Sequence, residues 1–342
     1  MTIKYNNVFI NETATITGPY EGKGPLKNYF DKSYDNLYFE TKTWEQAETK
    51  LINESINILK EKSNIQNIDL LIGGDLLNQI APSNYASSKI DSSFIGIYAA
   101  CATSTLGLIL GANFIENNIT KNVVTFTSSH NNSAEKQYRY PVEYGGPKPI
   151  TSTFTTTGAA AALISKTRKG IKIESGTIGK VVDSKTTNVF HMGAVMAKAA
   201  ASTIYNHLKD TKRSLDYYDL VLTGDLGTYG KEILKEYLKE EYKIDLNNYN
   251  DTGTMIFDLE NEEIHAGASG PACAPLVTYS YIFNQMKKGK YKKILLVATG
   301  ALMNPTMANQ KLTIPAIAHA VSLEAIKWYI LTLLYFAALS AR

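Results

Sequence analysis

Cysteine is scarce in this chain: 342 residues contain two, Cys101 and Cys273, each embedded among small and apolar neighbours. Isolated thiols of that kind suit a reducing compartment and exclude a disulfide-stapled fold. Equally absent are Cys-x-x-Cys, His-Glu-x-x-His, Gly-x-Gly-x-x-Gly opening a helix, and the phosphate-cradling Gly-x-x-x-x-Gly-Lys-Ser/Thr; Gly176-Thr177-Ile178-Gly179-Lys180 lacks the spacing and the hydroxyl of the last. No cofactor and no metal are therefore expected. Charge of one sign is not in excess, with 35 basic against 32 acidic side chains and a net +3. No Lys/Arg stripe stands out, so no nucleic-acid partner is expected. Residues 1–11 show no charged leader followed by an apolar stretch, which leads us to expect a chain that starts in the cytosol. The one long apolar run, Trp328 to Leu339, is twelve residues and falls short of the ~20 that cross a bilayer as a helix.

What is present is a repeat. Asp69-Leu-Leu-Ile-Gly-Gly-Asp-Leu76 and Asp219-Leu-Val-Leu-Thr-Gly-Asp-Leu226 agree at five of eight positions at an offset of 150, and each follows a helical pattern, Trp44–Lys60 and Ala194–Lys209. A second pair of landmarks follows at an offset of 172: Ala100-Cys101-Ala102 against Ala272-Cys273-Ala274, then a helix, then Val123–Thr127 against Leu295–Thr299. The larger offset suggests one extra helix in the second copy, Lys231–Glu241. Apolar strands alternating with helices imply parallel β-α units buried on both faces. Residues 1–170 and 171–325 read as two halves of one duplicated α/β fold, their helices packed between two sheets, with an atypical apolar tail at 326–342.

Phe94–Tyr98 reads as a strand and Thr103–Ile115 as a helix, so Cys101 falls at a strand-to-helix turn. There, unpaired N–H groups and the helix dipole favour a thiolate nucleophile. The competing reading is a small buried residue that lets helix and sheet approach, and Cys273 at the matching position agrees with it. Among the five histidines, His130 ends a strand in a polar loop where α/β sheets collect ligands. His319 lies in an apolar strand, where a core role competes with a catalytic one, and His207 is expected on a solvated helix face. The loop Glu135–Pro149 interleaves Lys136, Arg139 and Lys148 with Tyr138, Tyr140 and Tyr144. Such a loop suits a planar anion, with Arg139 on a carboxylate and a tyrosine on the ring, or else a plain exposed loop or dimer contact.

The duplicated halves, the first-half cysteine at its turn and the small-residue terminal strand resemble the thiolase and ketoacyl-synthase fold. More narrowly, Gly73–Gln79, Ala100–Ser104, Thr127–Asn131, Arg139–Gly146, Thr223–Leu226 and Ile314–His319 resemble the stage V sporulation protein AD family. The resemblance implies a five-layered αβαβα arrangement and a protein that binds dipicolinic acid, alone or as its calcium chelate. It further implies a homodimer, peripheral at the cytoplasmic face of the membrane and later at the spore inner membrane. The protein would act there with other stage V sporulation membrane proteins of the same operon in uptake and in release at germination. Against the catalytic relatives, Asp225 stands where ketosynthases have a histidine and Ala316 where thiolases have a second cysteine, while the His265–Gly270 segment is about one residue out of register with the thiolase Gly-His-Pro loop. A carboxylate would repel a developing oxyanion, although helix capping is open for Asp225 because Asp75 matches it. These departures imply a binding protein with a vestigial nucleophile, Cys101, and no catalytic residues. Its expected ligand-binding set is Cys101, His130, Arg139, Asp225 and His319. Two other readings remain: an acyl-transferring enzyme that uses Cys101, and a structural subunit that recruits membrane partners. The tail could be an interfacial anchor, a partner-binding helix or the product of a shifted reading frame.

Overall fold

The computed structural model describes residues 1–139, 146–260 and 264–326. The tail beyond 326, and Tyr140 and Tyr144 of the tyrosine-rich loop, lie outside them. In chain order the first part contains β1 (Thr2–Lys4), β2 (Phe9–Thr17), β3 (Lys32–Ser33), α1 (Trp44–Ser63), β4 (Leu70–Gly74), α2 (Ala81–Ser87), β5 (Ser93–Gly96), α3 (Thr103–Glu116), β6 (Val123–Ser129), α4 (Asn131–Tyr138), β7 (Phe154–Thr155) and β8 (Gly158–Ser165). The second contains β9 (Ile171–Ile178), β10 (Val182–Asp183), α5 (Met192–Thr211), β11 (Leu220–Thr223), α6 (Gly227–Tyr242), β12 (Tyr249–Asp251), β13 (Ala268–Ser269), α7 (Cys273–Val277), α8 (Phe283–Lys287), β14 (Lys293–Ala301), α9 (Pro305–Asn309) and β15 (Pro315–Ala325).

The strand order β5-β4-β6-β8-β2 recurs as β12-β11-β14-β15-β9, and the two sets join through a short antiparallel contact, Phe9 opposite Lys172 and Ile10 opposite Ile171. Only three strands of each set run parallel; β8 and β2, like β15 and β9, are antiparallel to their neighbours. The expected parallel β-α units thus form in each set, while the two remaining strands run antiparallel, a direction that apolar runs buried on both faces do not signal. Nor is a helix inserted in the second copy: α2 holds the place of α6, and the extra length lies mainly between Asp251 and Cys273.

Burial explains the layering. In β8, Ala160 and Ala162 enter one core and Ala159 and Ala161 another, so alanine on both faces lets helices close on either side. α1 covers the outer face of the first set through Ala47, Leu51, Ile52 and Leu59, an i, i+4 stripe whose helix is capped by Thr43 at the N-terminus and by left-handed Asn64 at the C-terminus. α5 and α6 cover the second set. α3 has no polar face and touches β4, β6 and β8 on one side and β9, β14 and β15 on the other. It forms the middle layer, which makes the arrangement αβαβα. No helix among the described residues is long and apolar enough to cross a membrane.

Candidate functional site

The C-terminal ends of β4, β5, β6, β11 and β14 converge on a cavity of about 50 Å³, lined among others by Tyr98, Cys101, Tyr138, Arg139, Asp225 and Ala301. Cys101 sits in a turn that the Thr103 hydroxyl holds, donating to Ala100 O at 2.6 Å and accepting from Ala99 N at 3.1 Å. Ala100 is left-handed at φ +47°, a conformation that strains an L residue. Gly300 of β14 permits the turn to pack there, since a Cβ would stand 2.2 Å from Ala99 O.

The thiol does not meet a base. Burial pushes Cys101 well above the usual thiol range, and the neighbouring Asp225 carboxyl pushes it further. Desolvation and a neighbouring carboxyl oppose the thiolate that the helix N-terminus would favour. Asp225 is itself buried. It accepts from Thr299 Oγ1 at 2.6 Å and from Gly270 N at 3.3 Å, and burial raises its carboxyl to about 7. It does not cap a helix. Asp75 does bind the turn after β4, taking Leu77 N at 2.8 Å and Ser83 N at 3.0 Å. In the second half that duty passes to Asp251, which accepts from Leu226 N, Gly227 N and Gly253 N, each at 3.0 Å, and so leaves Asp225 free to face the cavity.

Arg139 ends α4. Its guanidinium lies 3.2 Å from buried Glu135, and Lys148 approaches the same carboxylate at 3.8 Å. Nη1 also reaches Thr153 O at 3.4 Å, whereas the buried Nε has no hydrogen-bond partner among the described residues. Glu135 went unnoticed in the sequence, although its i, i+4 spacing from Arg139 was a legible signal. Tyr98 was also missed, because tyrosine is frequent throughout, whereas Tyr138 is one of the loop tyrosines expected to face a ring. Their hydroxyls stand 3.4 Å apart, and Tyr138 donates to Leu76 O. Both rings also line an outer recess of about 380 Å³, so they wall the inner cavity from it.

Three expected site residues, Cys101, Arg139 and Asp225, thus line one cavity, and two do not. His130 N-caps α4, accepting from Asn132 N at 3.2 Å while Nε2 meets Leu37 O at 2.8 Å, and it packs between Phe39 and Trp44. His319 is buried in β15 and accepts from Gly179 N at 3.2 Å. Desolvation lowers both imidazoles to about 4, which keeps them neutral. His207, expected in solvent, is fully buried between Thr177 Oγ1 at 2.6 Å and Tyr218 OH at 2.7 Å. The polar neighbours that suggested exposure lie on the other side of α5. Ala316 packs in the outer core, and it is Ile317 that approaches the small residues around the Cys101 turn.

The family model for Stage V sporulation protein AD (SpoVAD) matches residues 1–324. The Stage V sporulation protein AD of Bacillus subtilis strain 168 is 44% identical over 319 residues, covering 93% of this chain and 94% of its own. Among solved structures, a single-residue variant of OleA from Xanthomonas campestris aligns with a TM-score of 0.61 at 14% identity, over 94% of this chain and 99% of that one. The 3-oxoacyl-acyl-carrier-protein synthase III of Aquifex aeolicus VF5 aligns at 0.54 and 13%, over 93% and 99%. At such identities these two establish the thiolase-like fold and nothing about chemistry. By sequence, over nearly its whole length, the chain belongs to the Stage V sporulation protein AD family.

Proposed function

We propose that this sporulation protein is a non-catalytic binder of dipicolinic acid, working with membrane partners to move the compound into the spore and out at germination. One observation carries the reading: the nucleophile position holds a thiol raised by burial and by the neighbouring Asp225 carboxyl, on a cavity that Arg139 also lines. A thiol so placed is a poor nucleophile. A carboxylate of the ligand pairs with Arg139, and the pyridine ring lies against Tyr98 and Tyr138. The inner cavity is smaller than this ligand, so binding requires the two tyrosines to part and join it to the outer recess. In this reading the protein works as a homodimer, peripheral to the membrane.

Calorimetric titration with dipicolinate, with and without calcium, tests the reading. Saturable binding is expected, weakened roughly tenfold or more by Arg139→Ala once circular dichroism shows the variant folded; no binding by the native protein overturns it. The acyl-transfer reading rests on the strained turn at Ala100 and the position of Cys101 before α3. It predicts a mass increase on Cys101 after incubation with an acyl thioester, abolished by Cys101→Ser.

A further inference from the structure

At the opposite strand ends from the cavity, where β2 and β9 join, a second recess of about 630 Å³ is lined by Arg168, Lys172, Lys287, Lys292 and Lys293. The two segments that build it, 166–172 and 287–293, hold nine basic residues out of the chain's 35, adding Lys166, Lys169, Lys288 and Lys290 to the five in the lining. Of the nine, only Lys293 forms an ion pair among the described residues, with Glu174 and Glu324. Lys166, Arg168, Lys169, Lys287, Lys288, Lys290 and Lys292 are exposed. The net charge of +3 concealed this clustering, since acids elsewhere in the chain balance it. Both basic runs stand in the linear sequence, and folding joins them: the β8–β9 connection and the α8–β14 connection are separated by more than a third of the chain and meet at one end of the sheet.

Two further features identify what this face fits. Tyr291 lines the recess with the Lys290 ammonium 5.2 Å from its ring, an amphipathic aromatic among cations of the kind that sits at headgroup level. The described chain leaves β15 through Ile326, which also lines the recess, and the next residues in sequence include the apolar run Trp328–Leu339. A polybasic patch, with an apolar run too short to span following it in sequence, supplies the two signals that stable peripheral anchoring requires. We infer that this basic end is the face that docks on an anionic lipid bilayer. The inference rests on the peripheral-membrane reading above and adds which surface makes the contact.

The test uses the full chain and vesicles of phosphatidylcholine alone or mixed with phosphatidylglycerol. Co-sedimentation is expected only with the anionic vesicles, falling in high salt, and weakened roughly a hundredfold by the triple variant Lys287→Glu, Lys290→Glu, Lys292→Glu. The control Lys23→Glu, Lys42→Glu, Lys239→Glu, at exposed lysines outside the recess, should bind like the native chain. Equal binding by the two triple variants overturns the assignment of the face. So does pelleting with neutral vesicles alone, or a preference for single-stranded RNA over anionic vesicles. Retention of the native chain in the membrane fraction of sporulating cells reads out the peripheral placement separately, so a failed vesicle assay with retained fractionation overturns only the lipid contact.

Discussion

Asp225 decides how the cavity behaves. Its folded-state carboxyl titrates at about 7 because burial penalises the charge, against an ordinary value near ~4 in the unfolded chain. A raised pKa means that the folded state holds the proton more tightly, so this contribution is intact below about pH 4 and is lost as pH rises through about 7. The native protein is therefore expected to lose roughly 2–4 kcal/mol from this group between about pH 5 and pH 8. Asp225→Asn should narrow that difference; denaturant midpoints at the two pH values check it, and an unchanged gap counts against a buried Asp225 carboxyl. Replacing this carboxyl should also speed alkylation of Cys101 by iodoacetamide at about pH 8, read by mass spectrometry. By contrast, His130→Gln and His319→Gln should leave any dipicolinate affinity within about threefold of native while lowering stability by about 1–3 kcal/mol, since both imidazoles hold backbone groups rather than line the cavity. At this scale the sequence disclosed the residue types but not their duties. Asp75 and Asp225 match in the repeat, yet Asp251, more than twenty residues downstream of Asp225, captures the turn and frees its neighbour. No pattern within one chain announces such an exchange.

The second half's outer layer depends on a close crossing. α5 and α6 meet where Gly193 faces Gly230; a Cβ on Gly230 would stand 2.5 Å from the Gly193 Cα, and one on Gly193 would stand 2.6 Å from Leu226 O. Backbone cannot yield as a side-chain tip can. Gly230→Ala, which by helix propensity alone would stabilise by about 1 kcal/mol, is expected to destabilise by about 2–3 kcal/mol through separation of the two helices. Thermal unfolding checks the sign. Elements were the most legible level of this molecule. Trp44–Lys60, Ala194–Lys209, Thr103–Ile115 and the matched strands all form within a few residues of their expected ends, because periodicity and the repeat reported the same boundaries. What stayed illegible was α4, whose residues read as parts of two loops, the buried side of α5 that carries His207, and the direction of β2, β8, β9 and β15. Apolar residues on every face leave nothing for a pattern to distinguish.

The middle layer ties the molecule together. Leu108 and Ile109 of α3 share one core with Ile10 and Ile164 of the first strand set and with Ile173, Val321 and Leu323 of the second. Neither half can bury that surface alone. Fragments 1–170 and 171–326 expressed separately are expected to lack cooperative unfolding, whereas the intact chain should melt in one transition; two resolved calorimetric peaks would contradict this. The duplicated plan was readable from two pairs of landmarks, while the basic end was not, because its two lysine-rich runs, 166–172 and 287–293, meet only through the fold. β14 spans the distance between the two sites, with Lys293 in the basic recess and Ala301 at the cavity, roughly 27 Å at ~3.3 Å per residue. With the basic end seated on lipid, the cavity stands about three screening lengths above the headgroups at physiological salt. A dianion could then be captured from solution without repulsion from the bilayer's own charge. If the proposed transport role holds, a membrane partner that receives the ligand would have to project well above the membrane plane.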